Sequence, residues 1–166
     1  MGLISSVLIP RERKISNYLN KVDFGDAYQT NTSRHISAED AYLAMFNHVP
    51  KWGKKLMVLR NWIVGRLGLK TEKTPFTLTK DDLYTGNQIK SFKVHNKTSN
   101  EIIVGLNDTH LNFRVSVLSE KASERTTIAL TTIVKYNNRF GKVYMSCIKP
   151  FHKLIVKSML KNLHKL

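Results

Sequence analysis

The sequence predicts an α+β fold: a curved antiparallel sheet packed on a long C-terminal helix, with two helices inserted after the first strand. Three observations predict it. Apolar residues recur with a helical period between about residues 37 and 70, and with a period of two from about residue 89 onward. The period-two segments are joined by turns as short as NKTSN and NNRFG, which only antiparallel neighbours permit. The chain then closes on a second 3.6-period apolar stripe. With 166 residues, 42% hydrophobic and 23% charged, it has the size and composition of one domain able to bury a core.

Residues 1–22 read as an arm containing Pro10 and the basic cluster Arg11, Arg13 and Lys14, and residues 23–166 as a single domain. DFGDAYQT (23–30) is the first strand. Ser37 is placed to cap a helix, with Glu39 and Asp40 in its first turn and Ala41, Met45 and Phe46 as its apolar stripe. Pro50 opens the second helix, where Trp52, Leu56, Leu59, Ile63 and Leu67 recur at steps of three and four, and Gly68 ends it. A polar loop covers 71–88. About five strands follow: 89–96, 101–106, 110–119, 125–136 and GKVYMSCI (141–148). Pro150 then starts the last helix, with Phe151, Ile155, Met159 and Leu163 as its buried stripe, helped by Leu154 and Leu166.

Twenty-seven Lys and Arg face 12 Asp and Glu, for a net charge of +15, and no acid follows Glu124. Such a field attracts anions without choosing among them. Lys153, Lys157, Lys161 and Lys165 form an i, i+4 stripe expected to face outward. Like charges at that spacing repel. The stripe is a solvated face, or it meets an anionic membrane surface or an acidic partner. Nucleic acid ranks last, because aromatic and basic residues do not interleave as on a base-stacking surface. Cys147 is the only cysteine, so no intrachain disulfide can form, which fits a cytoplasmic protein. It reads as a small hydrophobe in the last strand. No apolar run approaches the length of a membrane span.

The segment NDTHLNFRVSV (107–117) poses the sharpest question. In a strand, Leu111, Phe113, Val115 and Val117 fall on one face and His110, Asn112, Arg114 and Ser116 on the other. The commoner outcome of such alternation is apolar-in and polar-out, which puts His110, Asn112 and Arg114 in solvent. Alternatively a bulge near His110 turns His110 and Arg114 into the interior to hold an anionic group. His152, in the first turn of the last helix, is the third polar candidate, as a base or as a packing residue. Asp108, His110 and His152 lack any HxxxH or CxxC spacing, so no metal site is predicted. No nucleophile elbow, phosphate loop or cofactor fingerprint occurs.

PKWGKKLMVLRNWIVGRLGLKT, GLNDTHLNFRVSVL and TTIVKYNNRFGKVYMSCIKPFHKLIVKSML, in that order, resemble an uncharacterised bacterial family catalogued as domain of unknown function 2867. The similarity covers roughly residues 23–166. Asn112 stands where the resemblance implies an acidic residue. The element order is also similar to the helix-grip superfamily, which includes START-like lipid-transfer domains and polyketide cyclases. That likeness implies a cavity between sheet and C-terminal helix but no reaction. The expectation is therefore a module binding an apolar or amphipathic small molecule. Trp62, Phe113, Val115, Leu130, Ile155 and Met159 are its expected lining. The alternatives are a cyclase or dehydratase using His110, Arg114 or His152 in the same cavity, and a charge-driven peripheral membrane protein.

Overall fold

A computed structural model of the chain describes residues 4–9, 14–48, 53, 77–89 and 92–163. Apart from Gly53, which is helical, the second predicted helix (50–70), including Trp62, lies outside the described residues. Seven strands form one antiparallel sheet: β1 (Ser5–Ser6), β2 (Phe24–Thr32), β3 (Gln88–Ile89), β4 (Phe92–Lys97), β5 (Glu101–Asn107), β6 (Leu111–Lys121) and β7 (Thr126–Tyr136). Their order is β1-β2-β7-β6-β5-β4-β3. The meander from β3 to β7 is thus flanked by β2, which pairs with β7 along its whole length, Phe24 opposite Val134 through Thr32 opposite Thr126. The fold is α+β, an open curved sheet with a long C-terminal helix and a second short helix.

The short helix α1 (Ala38–Asn47) begins where predicted. The Ser37 hydroxyl accepts from the Asp40 backbone N–H at 3.1 Å and donates to the Asp40 carboxylate at 2.7 Å. These contacts, with Lys80 beside it, hold the Asp40 carboxyl below the usual carboxylate range. Ala41, Tyr42 and Met45 are buried against the sheet.

The C-terminal helix α2 spans Arg139–Asn162 and includes the segment predicted as a fifth strand. Residues 141–148 are helical because Asn138 caps the segment, its side-chain oxygen accepting from Gly141 N at 2.9 Å. Pro150 lies inside the helix rather than at its start. The Ser146 carbonyl consequently loses its intrahelical donor there. Gly141 sets the approach of the first turn, since a Cβ on it would overlap the His110 carbonyl oxygen. The buried face of the helix comprises Met145, Val156, Met159 and Leu160, with Leu163 at its C-cap. Phe151 and Leu154, predicted in that face, are 43% and 57% exposed. Cys147 is also exposed, not a strand hydrophobe.

Among the described residues, the core lies between the sheet and helices α1 and α2. Tyr28, Ile102, Val117, Ile128 and Leu130 from the sheet meet Met45 of α1 and Val156, Met159 and Leu160 of α2. The opposite face is covered as well. β1 pairs with β2 at Ser5 opposite Gln29, and a 3-10 turn at Lys14–Tyr18 packs Ile15, with Leu19, on Ile103 and Ile133. The strand bulge occurs in β4, between Val94 and Asn96, not near His110.

Candidate functional site

The three polar candidates occupy three different places. Arg114 is on the sheet face turned away from the helices. It is not solvent-exposed, as simple alternation predicts, but 5% exposed, because the N-terminal arm covers that face. Its guanidinium lies across Gly105, where a Cβ would overlap the Arg114 side chain. It donates to the carbonyls of Phe113 (2.8 Å) and Leu106 (3.3 Å) and to Asn107 Oδ1 (2.8 Å). Burial pushes its pKa down from the ordinary value. Asn112 is half-buried and accepts from Asn137 Nδ2 at 2.9 Å.

His110 is 3% exposed, again contrary to the solvent reading. Its ring packs edge-on against Tyr144 (5.2 Å) and Phe140 (5.6 Å) of α2, and its Nδ1 lies 3.4 Å from Asp108 Oδ2. This is a packing role at the foot of the helix. Among the described residues, no group of three His, Cys, Asp or Glu is arranged to hold a metal.

His95, which faces the same layer as Arg114, has its pKa lowered by burial and then by the charges of Arg114 and Lys93. Folding therefore favours neutral His95. Its stabilising contribution is full above the ordinary histidine value of about 6.5, declines as pH falls from there, and levels off below the depressed folded-state value. Urea melts between about pH 7.5 and about pH 5 should show this slope, and His95→Asn should flatten it.

His152 is the candidate that reaches the layer between sheet and helix. The sequence puts it in a first helical turn, but it sits mid-helix, so the helix-dipole argument does not apply. Its Nε2–H donates to Asp26 Oδ1 at 3.2 Å, and its ring stands edge-on to Phe24 at 6.3 Å. Asp26 is directly opposite Thr132 in the β2–β7 pair, and Thr132 is opposite Val115 in β6. Side chains of registered residues share a face, so Asp26, Thr132 and Val115 form one row under α2. The side chains of His152 and Asp26 are 21% and 10% exposed. Asp26 Oδ2 and Thr132 Oγ1 are buried and have no hydrogen-bond partner among the described residues.

Of the expected lining residues, Leu130 and Met159 are fully packed in the core. Val115 and Ile155 are half-buried beside it, and Phe113 is half-buried against the neighbouring cluster of Phe24, Leu111, Val134 and Met145. A separate open surface cleft of about 520 Å³ lies at the N-terminus of α1, lined by Ser37, Glu39, Tyr84, Lys97 and neighbours. Its charges are already paired, Lys97 Nζ being 2.9 Å from Glu39 Oε1 and over the Tyr84 ring, and it contains none of the predicted lining. Sequence reasoning missed Asp26 and Thr132. The available signal was the alternation of the first strand, which puts Asp26 on the same face as Phe24 and Tyr28.

Fold and site thus define an open antiparallel sheet covered by helices, with one carboxylate–imidazole pair set into the layer between them. The chain belongs to the family of proteins of unknown function DUF2867, whose model matches residues 18–159. No curated protein and no solved structure matches it. No described helix is long and apolar enough to cross a membrane.

Proposed function

We propose that the protein binds an apolar or amphipathic small molecule in the layer between the sheet and α2, with the ligand's polar end at Asp26, Thr132 and His152. The supporting observation is the pair of buried, unpartnered oxygens, Asp26 Oδ2 and Thr132 Oγ1, side by side on neighbouring strands. Buried polar atoms are almost always hydrogen-bonded, so this adjacent pair calls for a partner, which a ligand group would supply. An ionised carboxylate only accepts. The fitting ligand group is therefore a donor, a hydroxyl or an ammonium, rather than the anion that Arg114 and His110 would have served. Val115, Phe113 and Ile155, all half-buried, supply the apolar flank, over the Leu130 and Met159 core. Trp62 keeps its place in the proposed lining from the sequence alone.

One observation favours a second reading, a cyclase or dehydratase. In the neutral tautomer that directs Nε2–H at Asp26, the His152 ring offers Nδ1 as an acceptor. A base oriented by a carboxylate has this form. Native mass spectrometry of freshly purified protein, combined with thermal shifts in dodecanol, dodecylamine and dodecanoate, tests both readings. Binding predicts stabilisation by the alcohol or amine, weaker stabilisation by the carboxylate, and loss of the effect in Asp26→Leu/Thr132→Val. An equal response in that variant, or no response in either protein, contradicts the proposal. A carried ligand recovered chemically altered after incubation selects the enzyme.

A further inference from the structure

Because residues 139–162 form one helix, Phe140 and Val143 join Phe151 and Leu154 on a single surface. They are 37%, 62%, 43% and 57% exposed, with exposed Cys147 between them. Successive spacings are three, four, four and three. At about 100° per residue these five side chains occupy roughly 80° of the helix circumference. Lys142, Lys149, Lys153, Lys157 and Lys161 are exposed on the adjoining sector. The helix contains no Asp or Glu. Its opposite face, from Met145 to Leu163, is buried in the domain. The helix thus has two apolar faces, one in the core and one outside.

We propose that the outward face of α2 docks on the surface of an anionic lipid bilayer. Phe151, Leu154 and Val143 enter the boundary between headgroups and acyl chains, and the flanking lysines meet the lipid phosphates and carboxylates. The combination selects this occupant. Exposed Phe, Val and Leu gain from leaving water, and interfacial helices pair such a stripe with Lys and Arg. A second copy is disfavoured by the net charge of +15 on each chain. Nucleic acid would engage the lysines but offers nothing to Val143 and Leu154. The proposal concerns the outer face of α2 and stands independently of the Asp26–His152 site on its inner face.

Vesicle flotation with the full chain tests it, using phosphatidylcholine vesicles with and without about one-third phosphatidylserine at low ionic strength. Binding is expected only to the anionic vesicles. Lys153→Gln/Lys157→Gln/Lys161→Gln should reduce partitioning on the order of a hundredfold, at roughly fivefold per lysine. Phe151→Ser/Leu154→Ser, which leaves the charge unchanged, should reduce it on the order of tenfold or more. Melting temperatures of both variants serve as the folding control, since all five side chains are exposed, although Lys157 also lies over the Tyr28 ring at 5.5 Å. Absence of wild-type binding to anionic vesicles overturns the proposal. So does undiminished binding of the Phe151/Leu154 variant, which would reduce the surface to a general polyanion attractor open to acidic proteins or nucleic acid.

Discussion

A chain ending at residue 148 is expected to be molten or insoluble. It would lack Val156, Met159, Leu160 and Leu163, which are 3%, 5%, 0% and 1% exposed and close the core over Tyr28, Ile128 and Leu130. At about 1.5–3 kcal/mol per buried aliphatic side chain, their loss removes roughly 6–12 kcal/mol. The whole stability of a domain is typically about 5–15 kcal/mol. Near-UV circular dichroism and dye binding would report the collapse as lost tertiary signal and exposed apolar surface. A cooperative melt in the truncated chain would show that the sheet is closed by something other than α2.

Leu130→Ala should cost about 2–5 kcal/mol in urea melts, the range for emptying a fully packed aliphatic site. Leu130 is 2% exposed and lies at the centre of the sheet, opposite Tyr28 in β2 and Val117 in β6. Phe113→Ala should cost less. Alternation alone ranks Phe113 with fully buried aromatics, but it is half-buried, edge-on to Phe92 at 5.7 Å. If Phe113→Ala proves the costlier change, the row containing Phe113 and Val115 is more closed than the structure shows, and little room is left for a ligand there.

The sheet was legible because turn lengths and alternation act locally. Strands β5 to β7 fall within a residue or two of their predicted limits, as does the cap at Ser37, while β4 starts three residues later than predicted. Two errors had specific causes. GKVYMSCI carries β-branched and aromatic residues that suit a strand, and Pro150 resembles a helix start. The sequence places Asn138 in a turn, whereas it caps α2 and offsets the strand propensity of the residues behind it. Alternation puts Arg114 and His110 in water, but the N-terminal arm covers Arg114, and Phe140 and Tyr144 of α2, in a segment the sequence predicts as turn and strand, cover His110. The consecutive run Ile102–Ile103–Val104, buried on both sides, was the sign that a second layer covers the sheet. The pairing of Asp26 with His152 joins residues 126 positions apart, and no local pattern reports such a contact.

The measurement that tests the central claim most directly is a nuclear magnetic resonance titration with dodecanol, following the histidine rings and the threonine methyl groups. A ligand seated between sheet and α2 should shift the His152 ring and the Thr132 methyl saturably and together. His110, packed at the foot of the helix, and His95, beneath the N-terminal arm, should stay in place. Saturable shifts confined to His95 or His110, or no saturable shift at His152 and Thr132, would contradict a ligand site at Asp26, Thr132 and His152.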